Sequence, residues 1–175
     1  MNKRLIIFTD SGDTIIDEGT QVFDDRGIVR RADFIPGAGE VLKQLHDEGF
    51  PIALVADGEW ESFQNVYRLN GLGCCFDQWI VSEVVGKQKP EPIMFETALQ
   101  KMGLTEADKP RIVMIGNNLK KDIAGANRMG LTSIWLDWSP RYFHTVEEPD
   151  WQPDYTVHTP GELIPLLHRL NDALV

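Results

Sequence analysis

The chain has 175 residues, of which 42% are hydrophobic and 25% are charged, and its formal net charge is −10. This length suits one domain with a single core, spanning residues 1–175, and the composition is ordinary for a globular protein. Because nucleic-acid binders neutralise phosphates with clustered lysine and arginine, the acidic charge excludes that class of partner. The first apolar run ends at Phe8, too early for a signal peptide or a membrane span. We therefore expect a cytoplasmic protein without a membrane partner.

Strand and helix patterns alternate along the chain. The first apolar run predicts a strand over residues 4–9, and short β-like patches in residues 15–35 predict a small hairpin or flap. Pro36 opens a helix that Gly49 ends. Further strands are predicted over 51–56, 79–81, 112–115 and 131–136, and further helices over 59–70, from Pro92 onward, and over 120–129. A long loop over residues 138–154, a short strand at 156–157 and a helix within 159–175 follow.

This alternation predicts an α/β fold. Successive strands that are joined by helices form a mostly parallel sheet with right-handed crossovers, and the helices cover both faces of the sheet. We therefore expect a three-layer α/β/α sandwich with a doubly wound sheet. The strands should be buried on both faces, as their continuous apolar runs indicate.

Polar segments follow three of the predicted strands. These segments are Thr9–Thr14, Ala56–Gly58 and Gly116–Asn118, and a lysine precedes a proline pair in Lys89–Pro92. Because ligands of parallel sheets gather at the carboxyl ends of the strands, we expect these segments to share one crevice. Asp10 is the strongest functional candidate, since a carboxylate at the mouth of a buried strand is costly unless cations or hydrogen bonds compensate.

In order and kind, these segments resemble the haloacid dehalogenase-like hydrolases, and the resemblance runs from about Leu5 to Asp137. It implies a phosphatase that takes a small phosphorylated substrate and Mg²⁺. Asp10 would be the nucleophile that attacks phosphorus and forms an aspartyl-phosphate. Lys89 would stabilise the charge that develops during transfer.

Three positions depart from the family pattern. Gly12 stands where the phosphatases usually carry a second aspartate, which serves as general acid and base. Ala56 replaces a threonine or serine that holds a phosphate oxygen, and Asn117 replaces an aspartate that binds the metal. The missing acid leaves two interpretations of Asp13: a proton donor displaced by one place, or a residue that stabilises the loop.

The resemblance also implies the remaining contacts of the site. The metal ligands would be Asp10, Gly12 through its carbonyl group, Asn117 and Asp122. The substrate contacts would be Asp57, Gly58, Lys89 and Asn118, with backbone N–H groups at the start of the following helix serving the phosphate.

Two functions remain open from the sequence. The first is hydrolysis of a phosphomonoester, and the second is a degenerate member that binds a phosphorylated ligand or a protein partner with little or no turnover. Only a short hairpin separates Asp10 from the helix that Pro36 opens, so no large cap is expected. The crevice would then be open to a bulky substrate, or covered by a neighbouring subunit of a homo-oligomer or by the 138–154 loop. The absence of a cap disfavours dehalogenation, and the positions of the acidic residues disfavour a receiver-type signalling switch.

Overall fold

The computed structural model describes residues 4–174, so the parts of the predictions that include residues 1–3 and 175 fall outside it. The strands are β1 (Ile6–Thr9), β2 (Val22–Phe23), β3 (Val29–Arg31), β4 (Ile52–Ala56), β5 (Gln78–Val81), β6 (Ile112–Gly116), β7 (Thr132–Leu136) and β8 (Tyr155–Val157). The α-helices are α1 (Ala38–Asp47), α2 (Trp60–Leu69), α3 (Ser82–Val85), α4 (Pro92–Lys101), α5 (Ala124–Met129) and α6 (Leu163–Asp172).

Six strands form one parallel sheet in the order β5-β4-β1-β6-β7-β8. Alternate side chains of β1 enter different cores: Ile7 packs with residues of α1 and α6, whereas Ile6 and Phe8 pack with residues of α4. This alternation follows from the two-residue period of a strand. The predicted three-layer α/β/α sandwich is confirmed.

The structure differs from the predicted elements mainly at their ends. The helix expected from residue 120 begins instead as a wide π-helical turn at Leu119–Ile123, which is capped by the side chain of Asn118. The last helix starts at Leu163 after a 3₁₀ turn over Pro160–Glu162. The short helix α3 was not predicted, because four residues are too few to show a helical period.

Between Asp10 and α1 the chain forms a 3₁₀ turn at Glu18–Thr20 and the antiparallel β2–β3 hairpin. The hairpin is fastened to α2, since Val29 N–H donates to Ser62 Oγ at 3.0 Å and Asn65 Nδ2 donates to Val29 O at 2.9 Å. The small flap is therefore confirmed, and residues 4–174 include no large cap domain. None of the helices in that range is long and apolar enough to cross a bilayer.

Asp13 ties the loop after β7 to the loop after β1. Its side chain is completely buried and accepts hydrogen bonds from Ser139 Oγ at 2.5 Å and from Arg141 Nε and Nη2 at 2.8 and 2.9 Å. It also accepts the N–H of Glu18 at 2.9 Å. Its φ of 49° lies in the left-handed region, which aspartate tolerates better than most residues.

Burial opposes ionisation of Asp13, but the hydrogen bonds from Arg141, Ser139 and Glu18 N–H lower its pKa below the ordinary value. A carboxylate that is paired in this way holds no proton to donate at neutral pH. Of the two interpretations of Asp13, the geometry therefore favours the residue that stabilises the loop.

We predict that Asp13→Ala lowers the free energy of unfolding by about 2–4 kcal/mol at neutral pH, because Arg141 and the Glu18 N–H lose their acceptor. Urea unfolding measures this difference. Since the pKa of Asp13 is lowered in the folded protein, its stabilisation is present at neutral pH and is lost as the pH falls through that lowered pKa. The exposed Asp33 lies on the same segment, and Asp33→Ala should change stability by less than about 0.5 kcal/mol. An equal loss in both variants would contradict the anchoring role.

Candidate active site

The carboxyl ends of β1, β4 and β6 open into one crevice with a volume of about 290 Å³. Its walls bring together the polar segments that the sequence places far apart. The predicted residues at its surface are Asp10, Gly12, Asp57, Gly58, Lys89, Asn117, Asn118 and Asp122. The parallel pairing of β1 with both neighbours explains this convergence, because the three strands end at the same edge.

Lys89 lies at the centre of the crevice floor, and its side chain is only 1% exposed. Its ammonium group donates to Asp10 Oδ1 and to the carbonyl of Val55, each at 2.7 Å. Asp122 Oδ1 lies 2.7 Å from the same nitrogen. Burial disfavours the charge, yet the carboxylates of Asp10, Asp122 and Asp57 together raise the pKa of Lys89. Lys89 therefore remains a cation inside the site.

Asp122 lines the crevice and contacts Lys89. Its Oδ2 accepts the N–H of Asn118 at 3.0 Å, while Oδ1 contacts the Lys89 ammonium without the angle of a hydrogen bond. Burial and the nearby Asp10 raise the pKa of Asp122 to about 7, and Lys89 opposes that shift. A β-carbon on Gly116 would overlap the Asp122 carboxylate, so the end of β6 requires glycine at this position.

Asn117 is buried in the wall of the crevice that Asp10 also lines, and one side of its amide group has no hydrogen-bond partner in residues 4–174. Its Oδ1 accepts from the Thr14 hydroxyl at 3.4 Å, and its backbone carbonyl accepts from Trp135 Nε1 at 3.0 Å. Its Nδ2 has no hydrogen-bond partner within residues 4–174. The Thr14 hydroxyl serves either amide atom, so a half-turn of the amide presents its oxygen at the place of the unpartnered nitrogen.

This donor set fits a divalent cation that prefers oxygen ligands, such as Mg²⁺. The unpartnered side of the Asn117 amide is compatible with such a cation, because no protein group in residues 4–174 occupies it. Within the described range, no cluster of three or more His, Cys, Asp or Glu side chains has metal-binding geometry. A cation would therefore depend on amide and carbonyl oxygens in addition to Asp10, which lowers the charge of the site.

The side chain of Asp57 is held by two lysines. Its Oδ1 accepts the backbone N–H of Lys89 at 3.0 Å, and its Oδ2 lies 2.9 Å from the ammonium of Lys121. Sequence analysis did not identify Lys121, whose side chain is 37% exposed at the mouth of the crevice. The negative charge of Asp57 is thus compensated before any anion enters.

Two of the expected substrate contacts are engaged within the protein. The N–H of Gly58 donates to Ser82 Oγ at 2.9 Å, so it does not point freely at the crevice. The side chain of Asn118 accepts from the N–H groups of Lys120 and Lys121 at 3.0 and 3.1 Å, which makes it a cap of the π-helical turn. Both residues line the crevice and also stabilise the loops around it.

Glu18 and Tyr142 also line the crevice, and sequence analysis identified neither. A β-carbon on Gly12 would overlap Glu18 Oε1 and would lie 2.8 Å from its carboxyl carbon. The hydroxyl of Tyr142 donates to Glu18 Oε2 at 2.6 Å. Burial raises the pKa of Glu18, with smaller contributions from Asp13 and Asp10, although the Tyr142 hydroxyl opposes the shift. The sequence contains only an indirect signal of Glu18 in the crevice, which is the absence of a side chain at Gly12.

Comparisons with known proteins agree with this geometry. The chain is 31% identical over 145 residues to a glyceraldehyde 3-phosphate phosphatase of Methanopyrus kandleri, which covers 77% of this chain and 57% of that protein. It is 32% identical over 135 residues to the pyrimidine 5′-nucleotidase YjjG of Escherichia coli, covering 76% of this chain and 56% of that one. The chain thus spans little more than half the length of the curated relatives that it matches.

Solved structures share the fold. The YfnB protein of Bacillus subtilis, whose crystal structure contains bound magnesium, superposes with a TM-score of 0.76 at 19% identity, covering 94% of this chain and 99% of that one. A HAD phosphatase from Thermococcus onnurineus matches with a TM-score of 0.65 at 26% identity, covering 78% of this chain and 59% of that one. The family model for haloacid dehalogenase-like hydrolases matches residues 3–130. The chain therefore belongs to the haloacid dehalogenase-like hydrolases.

Proposed function

We propose that this protein is a Mg²⁺-dependent hydrolase of phosphomonoesters that works through an aspartyl-phosphate. The observation that carries the proposal is the contact between Asp10 and Lys89, a solvent-accessible carboxylate held by a buried ammonium at the mouth of the central strand. The names of the relatives, which include phosphatases of a triose phosphate and of pyrimidine nucleotides, support the same chemistry.

In this reaction, an oxygen of Asp10 attacks phosphorus and the bond between phosphorus and the ester oxygen breaks. The ester oxygen takes the electron pair and a proton and leaves as an alcohol. Water then attacks the phosphorus of the aspartyl-phosphate, and inorganic phosphate leaves as Asp10 recovers its electron pair. Lys89 binds Oδ1 of Asp10, which leaves Oδ2 as the attacking oxygen.

A divalent cation would be held by Asp10 and by the amide oxygen of Asn117, with Asp122 nearby to fix the loop. When bound, such a cation neutralises phosphate charge and so favours attack by an anionic nucleophile. The protein contributes two further positive charges. Lys89 supplies a fixed cation at the floor, and Lys121 supplies a half-exposed cation at the entrance. Together they offset the acidic walls for an incoming phosphate dianion.

The substrate class that fits is a small phosphomonoester. The crevice of about 290 Å³ has room for a phosphoryl group and a short carbon chain or part of a nucleoside. Because residues 4–174 have no large cap, selectivity depends on the rim of the crevice, including the loop that presents Tyr142.

A second candidate is a protein that binds a phosphate ester without turning it over. The neutral amide of Asn117 and the engaged N–H of Gly58 favour it, since both weaken the hold on metal and phosphate relative to the family pattern. The two candidates differ in whether product forms.

We predict that the wild-type protein hydrolyses an activated aryl phosphate only with Mg²⁺, and that Asp10→Asn lowers kcat on the order of 10³-fold or more, because the nucleophile is lost. Phenolate release measures both. Asp25→Asn, at an exposed hairpin position, removes the same charge and should match the wild type. Turnover retained by Asp10→Asn would exclude Asp10 as nucleophile. No turnover by the wild type would favour the binding protein.

We further predict that Asn117→Asp tightens Mg²⁺ binding by about ten- to a hundredfold, because it adds a charged ligand in a partly desolvated site. Calorimetric titration of the protein with Mg²⁺ measures the change. Asn70→Asp adds the same charge at the distal end of α2 and should leave the affinity unchanged. Equal affinities in all three proteins would mean that residue 117 does not face the cation.

A further inference from the structure

We propose that Glu18 is the carboxyl group that transfers protons in this site, in place of the side chain that residue 12 lacks. The inference rests on the phosphatase chemistry proposed above and adds a residue to it. Every hydrolysis of a phosphate ester needs a proton for the leaving alcohol oxygen and a base for the attacking water, unless the leaving group is a stable anion.

The first observation is position. A β-carbon on Gly12 would overlap Glu18 Oε1 and would lie 2.8 Å from the carboxyl carbon and 3.1 Å from the γ-carbon of Glu18. Gly12 is two residues beyond Asp10, and both residues line the crevice. The Glu18 carboxyl group, which lies against Gly12, therefore belongs to the same wall as the proposed nucleophile. A glycine at residue 12 is what allows a side chain from another segment to enter this space.

The second observation is the absence of a cation partner. Asp10 and Asp122 contact the ammonium of Lys89, and Asp57 is paired with Lys121. Of the carboxyl groups that line the crevice in the described part of the chain, Glu18 alone has no salt bridge. A carboxyl group that no lysine or arginine side chain holds in an ion pair is available to contact an oxygen of the substrate.

The third observation is how Glu18 is held. The Tyr142 hydroxyl donates to Oε2 at 2.6 Å, while Oε1 is the oxygen that lies against Gly12. The backbone N–H of Glu18 donates to Asp13, which also binds Arg141, the neighbour of Tyr142 in the chain. Asp13 and Tyr142 are therefore positioning residues, which fix the backbone and the carboxyl group of Glu18.

In the proposed reaction, Glu18 first donates a proton and then accepts one. As Asp10 attacks phosphorus, the ester bond breaks, and the ester oxygen takes its electron pair together with the proton of Glu18. Glu18 is then a carboxylate. It takes a proton from water as the water oxygen attacks phosphorus, and the bond between phosphorus and Asp10 breaks in favour of Asp10. Inorganic phosphate leaves, and Glu18 is protonated again.

The role of Glu18 is tested with the Glu18→Gln variant. Glutamine keeps the shape of the side chain but has no carboxyl group to donate or accept the proton. With an alkyl phosphate, whose leaving oxygen needs a proton, we expect kcat to fall about 10²- to 10⁴-fold. With a nitrophenyl phosphate, the first step needs no acid, so we expect a burst of one equivalent of nitrophenolate followed by slow turnover. The aspartyl-phosphate should then accumulate, and mass spectrometry after an acid quench detects it as one added phosphoryl group.

Three further variants separate catalysis from structure. Glu96→Gln removes the same charge at an exposed position of α4, outside the crevice, and should behave as the wild type with both substrates. Tyr142→Phe keeps the ring and removes the hydroxyl, and it should lower kcat with little change in KM. The double variant Gly12→Asp, Glu18→Ala places a carboxylate in the vacated space from the other side, and it should recover much of the activity that Glu18→Ala loses.

The outcomes are distinguishable. Turnover that Asp10→Asn abolishes and Glu18→Gln leaves unchanged on alkyl phosphates would overturn the role of Glu18 and keep the proposed function. Equal losses on both substrates without a burst of nitrophenolate, together with a large fall in Mg²⁺ affinity, would overturn it in favour of a metal ligand. No turnover by the wild-type protein on any phosphate ester would overturn both proposals.

Discussion

A buried ammonium group organises this molecule at its functional edge. Lys89 is almost fully removed from solvent, and its charge is balanced by Asp10 from the end of β1, the carbonyl of Val55 in β4 and Asp122 in the turn after β6. Removing one partner of such a network leaves a buried charge uncompensated, which costs about 3–5 kcal/mol. The same contacts that stabilise the loops therefore hold the carboxylate of Asp10 in one place.

A second buried carboxylate organises the wall of the crevice. Asp13 joins the segment after β1 to the long loop after β7 through Arg141 and Ser139. This loop carries Tyr142 to the wall of the crevice. These contacts explain why the irregular loop after β7 has a defined position. Its Arg141 is paired with Asp13, whose side chain is completely buried.

Two departures from the family pattern, at Gly12 and Asn117, can be understood from the arrangement of carboxyl groups and charges in the crevice. Gly12 removes a side chain where another carboxyl group, from Glu18, enters. Asn117 removes a negative charge from a site where Asp10, Asp122 and Asp57 already require Lys89 and Lys121 for compensation. Local charge balance matters here, because the protein as a whole carries a net charge of −10, which disfavours the approach of anions.

The α/β architecture, and the edge of the sheet at which the candidate site lies, follow from patterns in the amino-acid sequence. Continuous apolar runs identify buried parallel strands, and the polar segments that follow them must meet at the carboxyl edge. Asp10, Lys89, Asn117 and Asp122 were predictable for this reason, since each belongs to a segment next to a strand or to a recognisable lysine–proline pattern.

The direction of the Asp13 side chain and the presence of Glu18 and Tyr142 in the crevice follow from the folded structure and not from any pattern in the sequence. The partners Glu18 and Tyr142 are 124 positions apart, and Asp13 and Arg141 are 128 positions apart. The residues of both pairs lie in irregular segments, where no period of the sequence fixes the direction of a side chain. Their contacts depend on where the flap and the long loop pack. Buried hydrogen bonds and ion pairs, which form only when the chain is folded, determine that packing.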